Sequence, residues 1–410
     1  MEHTVGAAHL RLRPILRTFL ANGGAAKVLK VAKRGRISPF IVMDVMRAAN
    51  EREAIRGDVI HLEVGQPSTG APQGVIEAAK AAMTGDPLGY TDSLGIPALR
   101  EAIAGHYRDW YGVDIPADRV AVTTGSSGAF VLSFLSAFDA GDRVATVSPG
   151  YPCYRNILGA FGIEPVLLES SAADRYQPTP ALLDAAHREA PLDGLIVASP
   201  SNPTGTVLGR DAYRAIVDWC KARRVRLIAD EIYHGIVFGD ALPTAAGIDP
   251  DAVVINSFSK YFSMTGWRLG WMIVPPDLVR AVECLAQNLF ISPPTLSQRA
   301  AVAAFGCHEE CEANVAVYRR NRALLVEGLP AVGFDRLAPA DGAFYLYADI
   351  AGLTNDSRDY CARMLEESGI ATTPGVDFDA ARGHTQMRIS YCASTAAIET
   401  ALERLADWRK

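Results

Sequence analysis

From residue 120 onward the chain returns repeatedly to one pattern: a short unbroken apolar run, a polar or glycine-rich cluster, then a helical stretch. The runs fall at 120–124, 143–147, 165–168, 194–198, 225–229, 253–255 and 269–274. Runs this short, apolar without alternation, suit strands covered on both faces, and helical patterns between them supply parallel crossovers. The expected fold class is therefore α/β, with a mostly parallel seven-stranded sheet covered by helices. Ligands of such sheets bind beyond the carboxyl ends of the strands. Polar clusters sit at those ends: Gly125-Ser126-Ser127-Gly128, Pro149-Gly150-Tyr151-Pro152, Ser201-Asn202-Pro203-Thr204-Gly205, Asp230-Glu231-Ile232-Tyr233 and Ser257-Phe258-Ser259-Lys260.

The flanks read differently. Ser38-Pro39 opens a helical pattern with Ile41, Val42, Val45 and Met46 on one face. Residues 61–67 read as a short strand ending in a turn at Gly65, and a helix runs from Pro72 to about Met83. A loop carrying Tyr90 precedes a helix that starts at Pro97. Beyond a long helix over 297–329, strands at 344–348 and 387–391 accompany helices at 357–368 and 395–407, the pattern of a smaller α+β domain. The expected division is a loosely ordered extension over 1–37, a segment over 38–70 that joins the small domain, a large domain over 71–300 and the small domain over 301–410.

Composition excludes several classes. The 410 residues are 49% hydrophobic and 21% charged, as in soluble globular proteins, and a net charge of -6 gives no reason to expect nucleic acid. No apolar run reaches bilayer length, so no membrane is expected. Seven scattered cysteines suit a reducing, cytoplasmic setting without disulfides. Cys307-His308-Glu309-Glu310-Cys311 lacks a second Cys or His pair nearby, so it reads as two cysteines on one helical face and no metal is assigned. Arg11, Arg13, Arg17, Lys27, Lys30, Lys33, Arg34 and Arg36 are opposed by Glu2 alone. That segment reads as a basic extension in preference to a transit peptide.

The chemistry converges on Lys260. A lysine held deprotonated near an aldehyde forms a Schiff base, and burial beside other cations favours that state. Arg268, Ser257 and Ser259 suit a phosphate on the same ligand. The turn Gly125-Ser126-Ser127, opening a helix straight after a strand, offers a second set of phosphate donors. An aldehyde and a phosphate together describe pyridoxal 5′-phosphate. Asp230 is either a helix cap or the partner of the pyridine nitrogen. Tyr233 and Asn202 are either packed and turn residues or donors to the ring's phenolate oxygen. Tyr151 is a core aromatic or a ring that stacks on the cofactor. Arg388, inside the apolar run Met387-Arg388-Ile389-Ser390-Tyr391, needs a partner, either a structural carboxylate or the carboxylate of a substrate.

These motifs carry a family resemblance. Ser201-Asn202-Pro203-Thr204-Gly205, Asp230-Glu231-Ile232-Tyr233, Ser257-Phe258-Ser259-Lys260 with Gly266-Trp267-Arg268-Leu269-Gly270, and Met387-Arg388-Ile389-Ser390-Tyr391 occur in the order found in class I aminotransferases. The chain resembles that group of fold-type I pyridoxal phosphate enzymes, which includes aspartate aminotransferases, over roughly residues 38–408. The resemblance implies a ping-pong aldimine/ketimine transfer of an amino group between an L-amino acid and a 2-oxo acid. It implies Lys260 as Schiff-base and proton-shuttling residue, Asp230 on the pyridine nitrogen, and Asn202 and Tyr233 on the phenolate oxygen. Tyr151 would stack on the ring, with Gly125, Ser126, Ser127, Ser257 and Arg268 about the phosphate. Gly65 and Arg388 would hold the substrate carboxylate beside Asn202. Tyr90 would reach the phosphate of a neighbouring subunit, which implies a homodimer with shared sites.

Substrate choice is less defined. Dicarboxylate-specific relatives use an additional cation, often an arginine from the partner subunit. One such arginine falls a few residues before a Pro-Pro pair, here Pro293-Pro294, yet residues 285–291 contain no arginine or lysine. Related groups place the cation elsewhere. Phe40, Ile41 and Phe290 would suit an apolar or aromatic side chain. Two other functions share the scaffold: a carbon–sulfur β-lyase, which keeps most of the same residues, and a non-catalytic regulator, which would lose the lysine or the aspartate.

Overall fold

The computed structural model describes residues 29–409. Helix α1 (Ile41–Arg56) and the short strand β1 (Ile60–His61) come first, followed by α2 (Gln73–Gly85) and α3 (Pro97–Tyr111). Strand and helix then alternate: β2 (Val120–Thr123), α4 (Gly125–Ala137), β3 (Arg143–Ser148), α5 (Pro152–Phe161), β4 (Glu164–Glu169), α6 (Pro180–Glu189), β5 (Gly194–Ala198), α7 (Arg210–Arg223) and β6 (Arg226–Asp230). Strands β7 (Val253–Ser257) and β8 (Gly270–Ile273) complete the run. Helices α8 (Val279–Leu289), α9 (Thr295–Ala301) and α10 (His308–Gly328) lead to β9 (Arg336–Leu337), β10 (Tyr345–Asp349), α11 (Ser357–Ser368), β11 (Ile370–Ala371), β12 (Thr373–Pro374), β13 (Gln386–Ser390) and α12 (Thr395–Trp408).

Seven strands form one sheet in the order β2-β8-β7-β6-β5-β3-β4. All neighbours are parallel except β8, which runs antiparallel to both β2 and β7. The unbroken apolar runs are explained by cover on both faces: every residue of β2, β7 and β8 is buried. A second, antiparallel sheet has the order β12-β13-β10-β9, and β1 pairs in parallel with β11. The early segment thus folds back onto elements more than 300 residues away: Ile60 lies opposite Ile370.

Three expectations shift. The helix expected over 297–329 is broken: α9 ends at Ala301, a 3-10 turn spans Val302–Gly306, and α10 starts at His308. Gly306 disfavours helix, and Glu309 and Glu310 in the first turn of α10 favour a new start. Pro39 does not open α1; Phe40 is its extended N-cap residue and has no side-chain oxygen to offer. The cap comes instead from Asp377, whose carboxylate accepts from the N–H of Ile41 at 3.0 Å and of Val42 at 3.1 Å. Of the expected strand at 61–67 only His61 is paired as strand, within β1 (Ile60–His61).

Arg11, Arg13, Arg17 and Lys27 lie outside the described residues, whereas Lys30, Lys33, Arg34 and Arg36 are exposed. All seven cysteines are unpaired. Among the described residues no helix is long and apolar enough to cross a membrane, and no His/Cys/Asp/Glu cluster is arranged to hold a metal. The Cys307 thiol donates to the Ala303 carbonyl at 3.3 Å.

Because one carboxylate supplies the whole cap, Asp377→Ala should lower stability by about 1–2 kcal/mol. Amide exchange at Ile41 and Val42 should quicken more than elsewhere in α1. Unchanged exchange at these two amides would show that the cap does not hold the helix start.

Candidate active site

Strands β5, β6 and β7 end side by side, and the loops beyond them open onto a cavity of about 530 Å³. The start of α1 and strands β10 and β13 contribute to its wall, through Phe40, Val42, Met43, Tyr345 and Arg388. Of the residues singled out in the sequence, Gly65, Ser126, Ser127, Tyr151, Asn202, Asp230, Tyr233, Lys260, Arg268 and Arg388 all line it. Gly125 and Ser257 stand just behind the lining.

Lys260 lies three residues past the end of β7 and its Nζ donates to the Gly65 carbonyl at 2.6 Å. Burial pushes its amine down to about 8; Arg388 and Arg268 push the same way, against the thiol of Cys392 and the carboxylate of Asp230. A useful fraction is therefore free amine near neutral pH. Asp230, the last residue of β6, is buried, and burial raises its carboxyl to about 6. Its oxygens accept from the Ile232 N–H at 3.1 Å and from the Tyr154 hydroxyl. These bonds aim the carboxylate and leave it without a cation in direct contact, a place that suits a protonated ring nitrogen.

The opposite end of the cavity is built for an anion. Helix α4 starts at Gly125 directly after β2 and has no side-chain cap, so its first N–H groups are free. Gly125 has φ +73°, and a Cβ there would lie 2.7 Å from Nη2 of Arg268, so only glycine lets this guanidinium approach. Arg268 is anchored by Nη1 donating to the Thr265 carbonyl at 3.0 Å. Ser257 Oγ accepts from the Ser259 N–H at 3.1 Å and donates to Ser259 Oγ at 3.0 Å, holding the Ser259 hydroxyl on the lining.

Arg388 occupies the middle of β13 and is 2% exposed. Its Nη1 donates to Asn202 Oδ1 at 2.8 Å, and its Nη2 donates to the Glu63 carbonyl and to Thr373 Oγ1. The guanidinium is sandwiched between the rings of Tyr345 at 4.4 Å and Phe378 at 4.7 Å. No carboxylate of the described residues forms an ion pair with it, which argues against a structural salt bridge, and its buried Nε has no partner. Arg388 stands on the cavity wall, where an entering carboxylate would meet a guanidinium with no ionic partner among the described residues.

Some placements differ from expectation. Tyr90 is 87% exposed and does not line the cavity of its own chain. Phe40 reaches the cavity, but Ile41 does not, and Phe290 packs against the main core. Tyr151 meets Phe40 and Tyr154 edge-on, at 5.7 and 5.2 Å between ring centres. Tyr154, Cys153, Thr265, Met43 and Tyr345 line the cavity without having been singled out in the sequence. Tyr154 could have been found, because it falls three residues after Tyr151 on a helical face. Tyr345 sits in an apolar run and looks like core.

The arrangement defines a lysine-centred site at the carboxyl ends of a parallel sheet, facing a buried carboxylate, an anion cradle and an unpaired guanidinium. Comparison with known proteins identifies its class. The model of the family described as aminotransferase class I and II matches residues 57–405. A valine–pyruvate aminotransferase of Mycobacterium tuberculosis is 52% identical over 383 residues, covering 92% of this chain and 98% of that protein. A (5-formylfuran-3-yl)methyl phosphate transaminase of Methanocaldococcus jannaschii is 34% identical, covering 90% of this chain and 96% of that protein. The crystal structure of an aminotransferase from Mycobacterium tuberculosis matches with a TM-score of 0.90 at 52% identity, covering 93% of this chain and 99% of that one. The chain belongs to the class I and II aminotransferase family, with the fold-type I architecture. It is a transaminase, and these relatives lend no support to the β-lyase alternative.

Removing the guanidinium should act on substrate binding. Arg388→Ala should raise KM for the amino donor by about 30- to 100-fold, the loss of roughly 2–3 kcal/mol of charge-assisted hydrogen bonding. Steady-state kinetics against donor concentration reads this directly. An unchanged KM would leave Arg388 a structural residue.

Proposed function

We propose that the cavity holds pyridoxal 5′-phosphate and that the protein moves the amino group of an apolar L-amino acid, valine among them, to a 2-oxo acid such as pyruvate. The observation that carries this reading is that one cavity brings together the amine of Lys260 and the buried carboxylate of Asp230, with burial loosening the amine's proton and tightening the carboxyl's. The residues fit the cofactor: an aldehyde needs a free amine, a pyridine nitrogen an anion, and a phosphate the uncapped start of α4 with Arg268.

When bound, the cofactor supplies an electron-poor ring that accepts the electron pair left on the substrate Cα. The chain does the rest. Lys260 would hold the aldehyde carbon through its amine until an amino acid displaces it. Once free, that amine would accept the substrate Cα proton and hold it for return, the proton-shuttling role of Lys260. Asp230 would keep the pyridine nitrogen protonated, since a facing N–H⁺ stabilises the ionised carboxylate. Asn202 has Oδ1 occupied by Arg388, so its Nδ2 is left to donate to the phenolate oxygen, alongside the hydroxyl of Tyr233. Tyr151 would stack on the ring, and Gly125, Ser126, Ser127, Ser257 and Arg268 would surround the phosphate. Gly65 and Arg388 would bind the substrate carboxylate.

The preference for an apolar donor follows from what is left over. Asp230, Lys260, Arg268 and Arg388 are the charged groups on the cavity wall, and each already has a task. The remaining wall includes Phe40, Val42, Met43 and Val64, and no further cation of the described residues lines it to meet a side-chain carboxylate. The relative named for valine and pyruvate supports the same choice. We also place Tyr90 in the phosphate site of a second copy, which makes the working unit a homodimer. Residues 71–300 would form the large cofactor-binding domain, and 301–410 with 38–70 the small one that brings Arg388. The contacts of α1 and β1 with β11 and β12 support that division. Seven unpaired cysteines suit a cytoplasmic setting.

Cofactor-loaded protein mixed with L-valine, without any oxo acid, should convert from the aldehyde to the amine form in one turnover and release an equivalent of 2-oxo acid. L-Aspartate should react about tenfold more slowly or worse. Equal rates for the two donors would overturn the apolar preference. Persistence of the aldehyde form while pyruvate and ammonia accumulate from β-substituted donors would indicate a lyase.

A further inference from the structure

Tyr345, the first residue of β10, is buried against three parts of the site at once. Its ring faces the guanidinium of Arg388 at 4.4 Å. Its hydroxyl lies 2.7 Å from the hydroxyl of Tyr233. The same hydroxyl fills the space beside Gly65 so closely that a Cβ there would lie 1.6 Å from it. Gly65 in turn supplies the carbonyl that accepts from Lys260 Nζ.

Two hydroxyls at this distance share one hydrogen bond, and each has a single proton to give. If Tyr233 spends its proton on the phenolate oxygen of the cofactor, it can only accept from Tyr345. We propose that Tyr345 is a positioning residue: it donates to Tyr233, orients the Tyr233 proton toward the cofactor, and strengthens that donation. The inference rests on the cofactor reading above. Burial raises the pKa of both phenols, so each keeps its proton across the working pH range. A donor bonded in series is polarised by the bond behind it, so the chain Tyr345→Tyr233→phenolate is stronger than Tyr233 alone. A phenolate oxygen that already accepts such a bond holds the proton it shares with the Lys260 nitrogen less tightly. Tyr345 therefore lowers the pH at which the bound cofactor titrates.

The test is a spectrophotometric pH titration of cofactor-loaded wild-type, Tyr345→Phe, Tyr233→Phe and the double variant. Phenylalanine keeps the ring against Arg388 and removes only the hydroxyl. Tyr345→Phe should move the titration upward by about half a pH unit. The same change should move nothing further in the Tyr233→Phe background, because Tyr345 acts through Tyr233. A Tyr345→Phe titration identical to wild type overturns the proposal. So does an equal shift in both backgrounds, since Tyr345 would then act without Tyr233. Wild-type protein that gains no pH-dependent cofactor absorbance when given pyridoxal 5′-phosphate overturns the cofactor reading and this inference with it.

Discussion

The buried guanidinium of Arg388, which has no ion-paired carboxylate among the described residues, is the constraint around which the site is organised. Taking Arg388 out of water without a carboxylate costs several kcal/mol. The surroundings offset part of this through a side-chain amide, a hydroxyl, a backbone carbonyl and two aromatic faces. They leave Nε unsatisfied. Because Arg388 sits on β13 of the antiparallel sheet and Asn202 just past β5 of the seven-stranded one, their hydrogen bond joins the two sheets at the cavity. It also decides which end of the Asn202 amide faces inward.

Burial does the electrochemical work elsewhere in the cavity. It disfavours the charged form of each group it covers, so it drives Lys260 down and Asp230 up from opposite directions. Both end near the pH where a proton can move at low cost. Close backbone approach completes the geometry. Gly65 admits the Tyr345 hydroxyl and Gly125 admits Arg268, and neither position has room for a Cβ. Helix α1 is held at the cavity mouth from far along the chain by Asp377, which is how Phe40, Val42 and Met43 come to line it.

The sheet was legible because its strands are apolar on both faces, a pattern that few other structures produce. Its polar strand ends then pointed to the site, and residues of those ends meet on one cavity with Gly65, Arg268 and Arg388. What was hidden depends on distance along the chain. Pro39 looked like a helix start because the true cap, Asp377, lies more than 330 positions away. The break at Gly306-Cys307 was masked by the apolar residues that lead into it, Val302 to Phe305. Tyr345 was hidden because a tyrosine in a buried strand reads as packing, and its contacts with Tyr233, Arg388 and Gly65 are what separate it from an ordinary core aromatic. Tyr90 is exposed, and the role proposed for it requires a second copy that one chain does not show.

The central claim is that Lys260, and no other lysine, carries the cofactor. Borohydride reduction of cofactor-loaded protein, followed by digestion and mass spectrometry, tests it most directly. The account predicts one phosphopyridoxyl group per chain, on the peptide containing Lys260. A label on a different lysine, or none after reduction, would contradict it.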